Sequence, residues 1–186
     1  MAMTPMVLTA RMIKQANPDD RICFIGPCAA KKLEASRRSV RSDVDFVLTF
    51  EELAGMFEAK EVDFSALEAS DDLQYGTADG RGFAVGGGVA QAVVNYIKDK
   101  YPDREVKVAS AQGLADCKKM LMLAKAGKYN GYLLEGMGCP GGCIAGAGTL
   151  ADPARTATLL TKYKKDAPIQ HSADSDFKDY GKLLHD

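Results

Sequence analysis

The chain has 186 residues, a formal net charge of −1 and 46% hydrophobic residues. This balance is typical of a globular protein, and the near-zero net charge disfavours a nucleic-acid-binding protein. No uncharged apolar run reaches about 18 residues, and the N-terminus lacks the pattern of a signal peptide. We therefore expect a soluble cytoplasmic protein that binds neither nucleic acid nor a membrane.

Sequence patterns in the first half of the chain predict two helices and two short strands. Thr4 followed by Pro5 is typical of a helix start, here for a helix to about Gln15. Thr49 and Glu52 have the spacing of a capping box, which predicts a second helix start. Short apolar runs predict buried strands over residues 22–25 and 44–48.

The second half continues this alternation after a glycine-rich stretch from Gly76 to Gly88. We predict helices over residues 89–100, 114–126 and 154–165, and strands over residues 106–109 and 132–134. Strands that alternate with helices predict an α/β fold, with a mostly parallel sheet of about four strands and helices on both faces. No linker or repeat divides the chain, so we expect one domain over residues 1–186, with the polar tail from Asp166 wrapped around it.

Three of the five cysteines follow the carboxyl ends of predicted strands. Cys28 comes after the first strand, and Cys139 and Cys143 come after the last. Ligands gather at this edge of a parallel α/β sheet, and thiolates are preferred by iron–sulfur clusters and zinc. The residues alone thus favour a metal centre. Cys23 and Cys117 lie within apolar patterns, and we expect both to be core thiols.

Several alternatives to an iron–sulfur site stay open at this point. The three cysteines can be incidental buried thiols, or Cys139 and Cys143 can form a redox disulfide, although their spacing differs from Cys-x-x-Cys. Zinc would need a further ligand such as His171 or His185. The glycine-rich stretch can hold an anion at the next helix N-terminus, although it lacks the Lys-Ser/Thr of a P-loop.

Two motifs carry a resemblance to a known family. Residues 27–34 read Pro-Cys-Ala-Ala-Lys-Lys-Leu-Glu, and residues 135–143 read Glu-Gly-Met-Gly-Cys-Pro-Gly-Gly-Cys. These segments fit the P-C-x-x-K-x-x-E and E-x-M-x-C-x-x-G-C motifs of iron-only (FeFe) hydrogenases, in the same order and at a matching separation. Over nearly its whole length the chain resembles the C-terminal lobe of the catalytic domain of the large subunit.

The resemblance implies a cofactor and its ligands. The family builds the H-cluster from a 4Fe–4S cubane joined through a cysteine sulfur to a two-iron unit that carries CO and cyanide. By resemblance, Cys28 and Cys139 bind the cubane, and Cys143 bridges the cubane and the two-iron unit. Lys31 donates a hydrogen bond to a cyanide ligand, and Glu34 matches the acid of the first motif, where it pairs with backbone or basic groups.

Other positions match the family less closely. Met137 and Phe83 match apolar residues that pack around the two-iron unit. Gly26 replaces the methionine that commonly precedes Pro-Cys, and Ala145 and Ala147 interrupt the glycine run after the last cysteine. A third family motif with a T-S-C-C-P-like core, which supplies the fourth cubane ligand, is absent from this sequence. These departures resemble a divergent or monomeric-type branch.

The resemblance implies a hydrogenase that interconverts protons, electrons and dihydrogen and exchanges electrons with a carrier such as ferredoxin. We expect the missing N-terminal lobe to be a partner of this chain. Alone, the chain is expected to be inactive and to hold no complete H-cluster, because its three thiolates leave one cubane position unfilled. Cytosolic iron–sulfur assembly proteins related to prelamin-recognition factor share similar motifs, so a non-catalytic assembly factor and a hydrogen-sensing module are the alternatives.

Overall fold

A computed structural model describes residues 3–40, 42–68, 70 and 76–179 of the chain. Within these residues the chain forms seven α-helices and four β-strands. The chain divides into two compact units. Unit 1 comprises Met1–Glu68, Gly146–Leu150 and Asp179–Asp186, and unit 2 comprises Ala69–Ala145 and Ala151–Lys178.

Unit 1 contains a parallel pair of short strands and three helices. Strand β1 pairs with β2, with Cys23 opposite Phe46 and Ile25 opposite Leu48. Helix α2 packs against β2 and connects the two strands. The elements of unit 1 are α1 (Pro5–Ala16), β1 (Cys23–Ile25), α2 (Ala30–Ser36), β2 (Phe46–Leu48) and α3 (Phe50–Ala59).

Local side-chain signals explain where two of these helices begin. The Thr4 hydroxyl accepts a hydrogen bond from the N–H of Val7, and Pro5 occupies the first turn of α1, where its missing N–H costs nothing. At α3, the Thr49 side chain accepts from the N–H of Glu52, whose carboxylate accepts from the N–H of Thr49. Both predicted helix starts are therefore confirmed.

Unit 2 contains the second parallel pair of strands and four helices. Strands β3 and β4 pair in register from Lys107 opposite Tyr132 to Gln112 opposite Met137, and α6 connects them. The elements of unit 2 are α4 (Ala78–Arg81), α5 (Gly88–Lys100), β3 (Lys107–Gln112), α6 (Leu114–Lys125), β4 (Tyr132–Met137) and α7 (Pro153–Lys165), with short 3-10 helices at Gly82–Ala84 and Cys143–Ala145.

The predicted α/β class, with parallel strands flanked by helices, is confirmed. In the described residues the four strands form two separate two-stranded sheets, not one four-stranded sheet. Strands β3 and β4 also run three residues beyond their predicted ends at Ala109 and Leu134. Backbone pairing continues there through residues such as Ser110 opposite Glu135, although the side chains no longer follow an apolar strand pattern.

The first part of the polar tail packs against the rest of unit 2, in agreement with the prediction that the tail wraps around the domain. The N–H of Ala78 donates to the carbonyl of Ile169 at 2.8 Å, and the N–H of Asp79 donates to that of Gln170 at 3.2 Å. The Asp79 carboxylate in turn accepts from the N–H of Ser172 at 3.0 Å. The last residues of the tail, 180–186, lie outside the described residues.

The expectation that Cys23 is a core thiol is wrong. Cys23 is exposed in β1, because the short strand presents alternate residues outward. Cys117 is half-buried, and its thiol lies 3.5 Å from the carbonyl oxygen of Met137 in the neighbouring strand. Met120 is the buried residue of α6, whereas Leu114 is 77% exposed. No helix among the described residues is long and apolar enough to cross a membrane.

Candidate functional site

The candidate residues divide between the two units. Those of the first motif belong to unit 1 and those of the second motif and the glycine-rich stretch belong to unit 2. Unit 1 contains Cys28, Lys31 and Glu34, and unit 2 contains Phe83, Met137, Cys139 and Cys143. Each unit thus contains part of the predicted site.

Cys28 is held at the junction between β1 and α2. Its carbonyl accepts from the N–H of Lys31 at 3.3 Å, and the preceding Pro27 carbonyl accepts from the N–H of Gly148 at 3.2 Å. Gly26 is buried just before them. A Cβ atom at Gly26 would lie 2.9 Å from the ring of Phe24, which occupies the space of a side chain at this position.

Lys31 is part of a chain of polar contacts that also includes Glu34 and Thr4. The Lys31 ammonium lies 2.6 Å from one Glu34 oxygen, and the Thr4 hydroxyl donates to the other at 2.5 Å. Burial raises the pKa of Glu34, but the hydrogen bonds from Lys31 and Thr4 and the Lys31 charge outweigh it, so that this pKa lies below its ordinary value. Glu34 therefore holds the Lys31 side chain in a half-buried position. The contact of Lys31 with a cyanide ligand stays a prediction.

The thiol turn, defined as residues 139–143, begins shortly after the end of β4. Gly141 and Gly142 have φ angles of 93° and 90°, and the N–H of Gly142 donates to the carbonyl of Cys139 at 3.0 Å. These left-handed conformations favour glycine because it lacks a Cβ atom. The chain therefore reverses tightly between Cys139 and Cys143, both of which are half-buried.

The glycine loop, defined as residues 82–88, packs against the thiol turn within unit 2. The N–H of Gly86 donates to the carbonyl of Gly141 at 3.3 Å. A Cβ atom at Gly142 would lie 2.6 Å from the Gly86 nitrogen, so this approach requires glycine. The 3-10 helix that carries the half-buried Phe83 also contacts the 3-10 helix that begins at Cys143. Unit 2 thus brings the segments of these two candidate residues together.

Two polar side chains at this site have no role in the sequence-based hypothesis. The Glu135 carboxylate is 8% exposed and accepts from the N–H groups of Gly87 at 2.5 Å and Ala90 at 3.0 Å. The Gln112 side-chain oxygen accepts from the N–H of Gly141 at 2.6 Å. Both residues lie beyond the predicted strand ends; Glu135 is marked in the sequence as the first residue of the second motif, whereas no local pattern marks Gln112.

The position of Glu135 also bears on the anion-binding alternative. The first N–H groups of a helix have no partner within the helix and attract anions. At α5, two such groups already bind the protein's own carboxylate. Glu135 therefore occupies the place at which the glycine-rich stretch would hold a phosphate.

The donor set fits an iron–sulfur group by its chemistry. All five cysteines are present as thiols, and thiolates are the soft ligands of such clusters. Within either unit, the described residues include no group of three His, Cys, Asp or Glu side chains placed to hold a metal ion. His171 lies beside Asp79 at 3.7 Å and Asp99 at 4.0 Å, and His185 is outside the described residues.

Comparison with known proteins identifies the family. Residues 1–147 match the family described as iron-only hydrogenase large subunit, C-terminal domain. The chain is 32% identical over 175 residues to the periplasmic Fe hydrogenase large subunit of Nitratidesulfovibrio vulgaris, an alignment that covers 73% of this chain and 42% of that protein. It is 38% identical over 63 residues to the cytosolic Fe-S cluster assembly factor NAR1 of Kluyveromyces lactis, which covers 34% of this chain and 13% of that protein.

Solved structures show the same fold. An apo FeFe hydrogenase variant from Chlamydomonas reinhardtii superposes with a TM-score of 0.68 at 16% identity, covering 98% of this chain and 64% of that chain. At this identity the likeness concerns the fold alone. The chain spans less than half the length of the hydrogenase relatives that it matches. The match over residues 1–147 shows that the chain belongs to the family of iron-only hydrogenase large subunits, of which it represents the C-terminal domain.

Proposed function

We propose that this chain supplies the thiol-bearing C-terminal part of an H-cluster site, in a hydrogenase that interconverts protons plus electrons and dihydrogen. The observation that carries the proposal is the position of the cysteines. In unit 1, Cys28 follows the carboxyl end of β1, and in unit 2, Cys139 and Cys143 follow that of β4. Such strand ends are where parallel α/β folds place their ligands.

In this proposal each cysteine has one task. Cys28 and Cys139 would hold the H-cluster at its 4Fe–4S cubane, and Cys143 would hold it where the cubane joins the two-iron unit. When bound, the H-cluster supplies the electron-transfer and hydrogen chemistry. The protein supplies the thiolates and a polar and apolar shell that sets the properties of the metal site. The fourth cubane ligand comes from an N-terminal lobe of the complete protein.

The side chains around these cysteines orient the cofactor and exclude water. Lys31 would direct its ammonium group to a cyanide ligand, which suits a compact positive charge facing a localised negative one. Glu34 sets where that ammonium lies through the 2.6 Å ion pair. Phe83 and Met137 are half-buried and supply apolar surface for the two-iron unit.

The complete protein would exchange electrons with a carrier such as ferredoxin. We propose a cytoplasmic location, supported by relatives that are named cytosolic, although the Nitratidesulfovibrio vulgaris relative is named periplasmic.

A non-catalytic role in iron–sulfur cluster assembly is the second candidate function. Specific relatives favour it, including a probable cytosolic Fe-S cluster assembly factor of Drosophila virilis that is 30% identical over 172 residues. That alignment covers 69% of this chain, close to the 73% covered by the hydrogenase relative from Nitratidesulfovibrio vulgaris. Both functions would use cysteines to bind iron–sulfur groups. Cluster binding therefore does not distinguish them, and an assay of hydrogenase activity is needed.

Hydrogen evolution separates the two functions. The complete coding sequence that contains these residues would be expressed without oxygen together with hydrogenase maturation factors, and dihydrogen production from a reduced dye would be measured. We expect turnover in the wild type, loss to background in Cys143→Ser, and retention in Cys23→Ser, whose exposed thiol lies outside the site. Iron–sulfur loading without any hydrogen evolution would favour the assembly function.

The same assay on the chain of 186 residues gives a second check. We expect no hydrogen evolution from it, because three thiolates do not fill the four positions of a cubane. Sustained turnover by this chain alone would contradict the assignment of an essential ligand to an N-terminal lobe.

A further inference from the structure

We propose that Glu135 and Gln112 are positioning residues that hold the thiol turn against the glycine loop, so that Cys139 and Cys143 are set for metal binding before a metal arrives. This inference rests on the proposed ligand role of the two cysteines. It concerns the residues around them, which come from the two paired strands β3 and β4.

The first brace, as we call the hydrogen bonds of the Glu135 side chain, connects β4 to the glycine loop. The Glu135 carboxylate uses one oxygen for the N–H of Gly87 and the other for the N–H of Ala90, at the start of the 13-residue helix α5. A carboxylate is stabilised there by the unpaired N–H groups and by the helix dipole. Because Glu135 is 8% exposed, losing either bond would leave a buried polar group unpaired, which is costly.

The second brace, formed by the Gln112 side chain, connects β3 to the thiol turn. The Gln112 oxygen accepts from the N–H of Gly141, the residue midway between the two cysteines, at 2.6 Å. The same carboxamide packs on Gly86, where a Cβ atom would collide with its nitrogen. Gln112 therefore touches the thiol turn and the glycine loop at once.

The two braces meet through backbone contacts. Gly86 donates to the carbonyl of Gly141 at 3.3 Å, and it lies next to Gly87, which Glu135 binds. The register pairs Gln112 with Met137 and Ser110 with Glu135, so both side chains start from neighbouring positions of one sheet. A shift of either brace would therefore move the turn relative to β4, the strand from which it begins.

Asp79 provides a matched control in the same unit. Its carboxylate is also buried, at 3% exposed, and accepts from the side chain of Asn95 at 2.6 Å and the N–H of Ser172 at 3.0 Å. None of these partners belongs to the thiol turn. Asp79→Asn should thus weaken unit 2 as Glu135→Gln does, without reaching the cysteines.

The test measures Cd²⁺ binding to the purified chain by calorimetry and by the thiolate-to-metal charge-transfer absorption. Cd²⁺ binding at the thiol turn is defined as the part of the binding signal that is lost in the double variant Cys139→Ser/Cys143→Ser. We expect Glu135→Gln and Gln112→Leu each to weaken this part roughly tenfold to hundredfold, as for other residues that orient metal ligands. Asp79→Asn should keep the wild-type Kd even where its free energy of unfolding falls.

Several results would overturn the inference. These are an unchanged Kd in both brace variants, an equal loss in Asp79→Asn, or no turn-dependent Cd²⁺ binding in the wild type. If Glu135→Gln does not fold, Gln112→Leu decides, since Gln112 is exposed and its replacement has a similar volume. The Cd²⁺ readout does not depend on turnover. If Cd²⁺ binding is weakened in both brace variants but the complete protein evolves no hydrogen, only the proposed catalytic function is overturned.

Discussion

The two motif-bearing regions are held in place by different kinds of interaction. In unit 1, the segment after Cys28 depends on charged side chains, with Lys31 and Glu34 still 26% and 21% exposed at their side chains. In unit 2, the thiol turn depends on close backbone approach in addition to the side chains of Glu135 and Gln112, since no space for a Cβ atom remains between Gly142 and the glycine loop. The difference predicts that added volume destabilises the turn in unit 2, whereas the segment after Cys28 in unit 1 responds to charge and pH alone.

The largest effect is expected for Gly142→Ala. The added methyl group would lie 2.6 Å from the Gly86 nitrogen and 2.7 Å from the Ala84 oxygen. Overpacking of this kind costs roughly 1–3 kcal/mol, in addition to about 1–2 kcal/mol for a non-glycine residue in the left-handed region. The free energy of unfolding of the chain in urea, followed by circular dichroism, measures the loss.

Gly141→Ala is the matched control for that variant. Its φ angle of 93° is close to the 90° of Gly142, but an added Cβ atom would meet only Ala145 at 3.5 Å, an ordinary contact. We therefore expect the free energy of unfolding of Gly141→Ala to fall only by the cost of a left-handed backbone, about 1–2 kcal/mol. Equal losses in the two variants would mean that close approach to the glycine loop does not hold the turn.

A smaller effect is expected for Glu34→Gln in unit 1. The amide removes the charge that pairs with Lys31 but leaves an oxygen for the Thr4 hydroxyl, so the free energy of unfolding should fall by about 1 kcal/mol. Glu58→Gln, at an exposed position of α3, should change it little. As a direct check, NMR titration should place the pKa of Glu34 below its ordinary value of 4.5, and Lys31→Ala should raise it. An unchanged pKa in Lys31→Ala would refute the ion pair.

The smallest effect is expected from acid acting on Asp45. Its pKa is lowered from 3.8 to about 2 because the N–H of Ile22 donates to it and because Arg21 and Lys14 lie nearby. A carboxyl group whose pKa is lowered by folding stabilises the protein above its unfolded pKa and loses this contribution as the pH falls. Stability should therefore decline between pH 3.8 and about 2.

Asp45→Asn tests that assignment, since the amide does not titrate. We expect the variant to show a flatter dependence of the unfolding free energy on pH in this range. The same acid dependence in wild type and variant would assign the effect to other carboxylates of unit 1, among them Glu34 and Glu52, whose pKa values are also lowered.

Elements marked by local side-chain chemistry could be predicted from the sequence. Thr4 with Pro5 and Thr49 with Glu52 start their helices where expected, because a cap bonds backbone groups only a few residues away. The ends of β3 and β4 could not be predicted in this way. Their last residues are polar or small, and what extends the strands is pairing with each other. The grouping of the strands into two sheets likewise depends on long-range contacts.

The candidate site shows the same limit. The two motifs indicate the cysteines and Lys31, and the strand pattern predicts that the thiols follow strand ends. The contact of Gly86 with Gly141, and the reach of Gln112 to the thiol turn, join segments far apart in the sequence. Neither leaves a local pattern, so only the folded unit reveals that the turn is braced.

The most direct test of the H-cluster assignment is the infrared spectrum of the matured complete protein in the region of CO and cyanide stretching vibrations. We predict both sets of bands in the wild type, their loss in Cys143→Ser, and a shifted cyanide band in Lys31→Ala. Cys23→Ser should retain the wild-type spectrum. A protein that carries a full iron–sulfur cluster and shows neither CO nor cyanide bands would contradict the H-cluster assignment.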